Sequence, residues 1–92
     1  MTLVQIVHIP AEGVAAFQRF ESRVLALFPN YGAILQRRLR SPDGQIEIHV
    51  MSFPSQGALE AYRADPARGE LLPLLAESGA TSELLEMSDV TG

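Results

Sequence analysis

The chain has 92 residues, no cysteine, two histidines, a formal net charge of −4 and 47% hydrophobic residues. Disulfides and thiolate chemistry are excluded, and an acidic chain lacks the concentrated basic face that a nucleic-acid backbone requires. No apolar run approaches the ~18 residues that span a bilayer, and the N-terminus lacks a signal-peptide pattern; the expectation is one cytoplasmic domain over 1–92.

Residues 3–9 are apolar and β-branched and stop at Pro10, which reads as a strand. Val14, Phe17, Phe20, Val24, Leu27 and Phe28 then recur at three- and four-residue intervals. That spacing predicts a helix with one apolar stripe, leaving Gln18, Arg19, Glu21 and Ser22 off it. Pro29-Asn30 ends the helix and Tyr31-Gly32 turns the chain. Residues 33–40 and 45–53 flank Ser41-Pro42-Asp43-Gly44, a proline-second, glycine-last turn, so they read as a hairpin. Setting Arg40 opposite Gln45 puts Leu39 opposite Ile46, Leu35 opposite Val50 and Ala33 opposite Ser52. One face then carries Ala33, Leu35, Leu39, Ile46, Ile48 and Val50, and the other Ile34, Gln36, Arg38, Glu47, His49 and Met51. Ser55 suits the N-cap of a second helix with Ala58, Leu59 and Tyr62. Asp65-Pro66 interrupts that helix, a Leu-rich stretch over 70–77 continues it, and Ser78-Gly79 closes it. Residues 81–90 read as the last strand.

The order βαββαβ predicts a ferredoxin-like α+β domain: a four-stranded antiparallel sheet, spatial order 4-1-3-2, with both helices on one face. The apolar hairpin face is expected under the helices. The mixed face is expected to be open and to be covered by a second copy, sheet against sheet, in a homodimer.

Phe53-Pro54-Ser55, Ala58, Ala61-Tyr62, Asp65-Pro66 and Pro73-Leu74, together with the run from Phe17 to Glu21 and Tyr31-Gly32, resemble the DUF1330 family. That family belongs to the dimeric α+β barrel superfamily, which also holds EthD-like proteins, cofactor-free antibiotic-biosynthesis-type monooxygenases and muconolactone isomerases. The resemblance spans nearly the whole chain and is best over residues 53–75. It implies two sheets packed face to face, with a cavity between sheet and helices or in the barrel, and it implies no particular reaction. Ala67-Arg68 stands where the family commonly has an aromatic.

His49 and Glu47 are the candidate catalytic residues. A histidine beside a carboxylate can act as an oriented general base, or it can be a half-buried histidine satisfied across the strands. Arg38 facing Glu47 reads first as a cross-strand ion pair and second as an anion-binding group. Gln36, Gln5 and Met51 complete the candidate substrate-binding set; Gln5 is the lone polar residue within its strand and needs a partner. The face of His8 is left open by the pattern. Nothing in the spacing supplies a metal site, a glycine-rich phosphate loop or a nucleophile elbow, so no cofactor is expected. Two functions are compatible with these residues. One is a cofactor-free enzyme, monooxygenase or isomerase, acting on a small oxygenated metabolite. The other is a non-catalytic small-molecule-binding or structural dimerisation domain.

Overall fold

In the computed structural model, which describes residues 1–91, four strands form one antiparallel sheet. They are β1 (Thr2–His8), β2 (Ile34–Arg40), β3 (Ile46–Ser52) and β4 (Thr81–Met87), in the order β2-β3-β1-β4. A 3-10 turn at Ala11–Gly13 leads into α1 (Val14–Val24), and a second one at Leu25–Tyr31 follows it. Helices α2 (Gln56–Arg63) and α3 (Pro66–Ser78) join β3 to β4. This is the ferredoxin-like arrangement the element order predicts.

Each element starts and stops where its local chemistry requires. The expected first helix is α-helical only as far as Val24; its last stretch, which holds Pro29, tightens to 3-10. Gly32 then reverses the chain at φ 66°, a left-handed conformation that suits glycine. The Ser55 hydroxyl accepts from the Ala58 N–H at 3.1 Å and caps α2. The Asp65 carboxylate accepts from the Ala67 N–H at 2.8 Å, and Pro66 opens α3 at a position where no N–H is needed. Asp65 is therefore both the stop of one helix and the cap of the next.

The hairpin departs from the expected register, and with it from the expected faces. Ile34 pairs with Ser52 and Leu35 with Met51; a bulge then intervenes at Gln36. Beyond it Arg37 pairs with Val50, Arg38 with His49, Leu39 with Ile48 and Arg40 with Glu47. The extra residue flips the parity of β2. Leu35 points toward the helices before the bulge, while Arg38 and Arg40 do so after it. On β3 the buried residues are Glu47, His49 and Met51, and Ile46, Ile48 and Val50 lie on the open side. Arg38, Glu47, His49 and Met51 of the mixed set thus lie beneath the helices, and the apolar set of β3, with Leu39, faces away. Ile34, 59% exposed, is on the open face as expected; Met51, at 7%, is not.

β1 explains the choice. Leu3 and Val7 are buried under the helices, and across the ladder they meet Met51 and Glu47. Leu3, Met51, Phe28, Phe53, Ala33 and Leu59 form one apolar cluster, and Val7, Ile9 and Phe17 form another. The pair Gln5–His49 comes between these two along the strands. A polar row therefore runs under the helices between two apolar clusters, and it positions the site.

Candidate functional site

A cavity of about 290 Å³ opens between the sheet and the helices, near the lower end of the ~300–1,000 Å³ usual for small-molecule sites. Its wall is mostly apolar and aromatic, with Phe17, Phe20, Phe28, Phe53 and Tyr62 among its residues. Tyr62 packs edge-on to Phe28 at 5.2 Å and to Tyr31 at 5.9 Å, centroid to centroid. The Tyr31 hydroxyl donates to the Asp65 carboxylate, tying the loop before β2 to the start of α3. The polar groups in the wall are few: Gln5, Ser82, Glu21, His49, Arg63 and Arg68 are chief among them.

Glu47 lies behind His49 with its side chain fully buried. Its Oε1 accepts from Arg38 Nε at 2.7 Å and from His49 Nε2 at 2.8 Å. Its Oε2 accepts from Arg40 Nε at 2.9 Å and from Arg38 Nη2 at 3.2 Å. Burial alone would raise the pKa of this carboxyl, but the combined donors outweigh it and hold the group at about 2. An ionised carboxylate can only accept, so the proton of the neutral imidazole sits on Nε2 and the lone pair on Nδ1. Burial lowers the His49 pKa, while the Glu47 hydrogen bond pulls the other way. His49 is thus neutral near pH 7, in one tautomer.

His49 Nδ1 faces Glu21, whose Oε2 lies 3.9 Å away. Glu21 is 5% exposed and projects from α1 into the cavity wall. Burial pushes its carboxyl up to about 7, with Arg38 and Arg68 pulling down and Glu47 adding to the rise. The separation is too long for a hydrogen bond. A lone-pair base and a carboxyl poised between its two states therefore flank one corner of the cavity.

Of the residues singled out in the sequence, His49, Gln5 and Met51 line the cavity. Gln5 Nε2 donates to Ser82 Oγ at 3.4 Å. Arg38 is engaged as an ion-pair partner of Glu47, the first of its two readings, although it stands opposite His49 in the ladder rather than opposite Glu47. Gln36 occupies the bulge, is exposed, and is not among the cavity-lining residues. His8 is exposed on the other side of the sheet from His49. Among the described residues no cluster of three or more histidine, aspartate or glutamate side chains is placed to hold a metal ion.

Glu21 and Arg68 were not foreseen as site residues. Glu21 lies four residues after Phe17 and three before Val24, so it belongs to the buried stripe of α1 that the spacing first placed it off. A carboxylate on an apolar stripe is the signal that identifies it. Arg68 carries no such signal, since one cation in the first turns of a helix is ordinary.

The fold is shared with solved structures. SnoaB, a cofactor-independent oxygenase from Streptomyces nogalater, matches with a TM-score of 0.73 at 18% identity, over 97% of this chain and 93% of its own. An antibiotic biosynthesis monooxygenase matches with a TM-score of 0.71 at 15% identity, over 97% and 100% of the two chains. Rv0793 of Mycobacterium tuberculosis matches with a TM-score of 0.65 at 15% identity, over the full length of both. At such identities the likeness is one of fold. No protein-family model matches the sequence, and no curated protein does.

Proposed function

We propose that this chain is a cofactor-free acid–base enzyme for a small oxygenated metabolite, of the monooxygenase or isomerase type. The observation that carries the reading is the row Glu47–His49–Glu21: one imidazole nitrogen pinned to an ionised carboxylate, the other turned toward a carboxyl at the cavity wall. His49 Nδ1 takes a proton from an acidic C–H of the substrate. The electron pair stays on the substrate as an enolate. An isomerase returns the proton to a different carbon. In an oxygenase the carbanion adds to O2, two electrons pass to oxygen, the imidazolium protonates the peroxide, and loss of water leaves a new carbonyl. Both routes use the same base, and the names of the fold neighbours favour the second.

The same reading makes the protein a cytoplasmic homodimer related to the DUF1330 family, its two sheets packed by their open faces. That face is apolar: Ile34, Leu39, Ile46, Leu85 and Met87 are each at least 41% exposed on it. Among the described residues no helix is long and apolar enough to cross a membrane.

The test is deuterium exchange. Cyclic 1,3-diketones and ketones that tautomerise to phenols are incubated with the protein in D2O, with and without oxygen, and followed by NMR. The wild type is expected to accelerate exchange, and His49→Gln to lose about 10²–10⁴-fold of that acceleration. Oxygen uptake with exchange marks the oxygenase, and exchange alone the isomerase. No exchange with any ketone, or full exchange by the His49→Gln protein, removes the reading and leaves a binding or structural domain.

A further inference from the structure

Arg68 forms no salt bridge with the acid–base row and acts on Glu21 only through its charge. Its Nε is buried and has no hydrogen-bond partner. A buried guanidinium N–H without an acceptor is disfavoured by the desolvation of a charged donor, and such groups are normally satisfied. The residue lines the cavity, and its guanidinium carbon lies 5.3 Å from the centroid of the Tyr62 ring, which supports it from one side. Among the described residues no salt bridge engages it. Asp65, close by in sequence, already receives the Tyr31 hydroxyl and the Ala67 N–H.

The charge balance of the wall points the same way. Glu47 is neutralised from behind by Arg38 and Arg40, and burial raises the Glu21 carboxyl to about 7, so that it carries only part of a charge near neutral pH. Arg68, with exposed Arg63 at the same wall, leaves the cavity positive. Flat aromatic side chains make up much of the remaining surface.

We propose that Arg68 anchors a carboxylate of the ligand through its guanidinium group, and that the cavity accepts small aromatic or conjugated carboxylic acids. The two terminal Nη groups present a planar fork of N–H donors that matches two carboxylate oxygens. The rings of the wall take the apolar body of such an acid. This rests on the reading of the cavity as the substrate site, and it adds the substrate class: the acid group is bound at Arg68 and the reacting carbon is presented to His49.

The probes are benzoate and 4-hydroxybenzoate, each compared with its methyl ester, by calorimetric titration and thermal shift at pH 7.5. The wild type is expected to bind each acid at least tenfold more tightly than its ester. Arg68→Gln should lose at least tenfold in affinity for the acids and bind the esters as before. Arg68→Lys, which keeps the charge but not the fork, should fall between and serves if the glutamine variant does not fold. Acids and esters binding the wild type alike, no acid binding, or unchanged acid affinity in Arg68→Gln overturns the proposal. The catalytic reading fails separately. His49→Gln should keep the acid preference while losing proton exchange, so a wild type that prefers acids but exchanges no proton retains this inference and loses that one.

Discussion

Glu21 is buried on the cavity side of α1, with the neutral His49 imidazole 3.9 Å from its Oε2. Its ionised form is therefore disfavoured, and its pKa rises to about 7 from an ordinary 4.5. The consequence for stability has a definite sign. Between about pH 4.5 and 7 the folded chain holds a proton that the unfolded chain has released, so stability falls as pH rises, by up to about 3 kcal/mol. His49 and Glu47 act oppositely. Their pKa values are lowered, so what they contribute is lost toward acid, for Glu47 only as pH drops toward about 2. Glu21→Gln isolates the first effect. The variant should melt close to the wild type at pH 5 and up to about 12–24 °C above it at pH 8.5, as thermal denaturation across that range would record. Parallel curves for the two proteins would mean that Glu21 ionises at its ordinary pKa.

At the scale of the elements, the approach of the turn before α1 to the end of α3 leaves no room for a side chain. A Cβ on Gly13 would lie 1.8 Å from the Ser78 carbonyl oxygen and 2.9 Å from its Cα. The backbone there, at φ −98°, is one that alanine adopts freely, so the demand for glycine is one of space. Gly13→Ala should destabilise by about 2–3 kcal/mol, a fall of roughly 10–20 °C in Tm. Gly69→Ala is the matched control: its Cβ meets nothing within 4 Å inside α3, and it should stabilise by about 0.5–1 kcal/mol. A Gly13→Ala protein melting like the wild type would show that α3 slides without cost. The same elements show what was legible in the sequence. Strand and helix positions, the cap at Ser55, the interruption at Asp65-Pro66 and the sheet order follow from periodicity and turn chemistry. The faces of the hairpin do not. Both sides of β3 carry residues that prefer burial, so alternation says which residues share a side but not which side meets the helices. The bulge at Gln36 then breaks the alternation of β2 without any glycine or proline to announce it. His49, Glu47 and Arg38 could be grouped from sequence because they are close along one hairpin. Glu21 and Arg68 reach the same cavity from two helices, and only tertiary packing brings them there.

For the whole molecule, the inverted faces change which substitution tests association. A chain of 92 residues buries a modest fraction of its surface, and its open sheet face is more apolar than the mixed face would have been. Along one row of that face run Leu39, Ile48 and Ile6, neighbours across β2, β3 and β1, with Glu83 of β4 at the end. Ile48 is at the centre of the row, where the proposed two-fold partner would remove most water. A carboxylate there would meet apolar side chains from its own sheet and from the partner, with no cation in the row to pair with it. Ile48→Glu should convert a micromolar dimer into a folded monomer, with association weakened at least about 100-fold, by sedimentation at several loading concentrations. Its circular dichroism should stay native, because the side chain does not enter the helix-covered core. Met51→Glu is the counterpart: its target is buried in the cluster with Leu3, Phe28 and Phe53, so it should unfold the subunit rather than separate two intact ones. A wild type that sediments as one chain, or an Ile48→Glu protein that stays dimeric, would mean that this face is covered by something other than a second sheet.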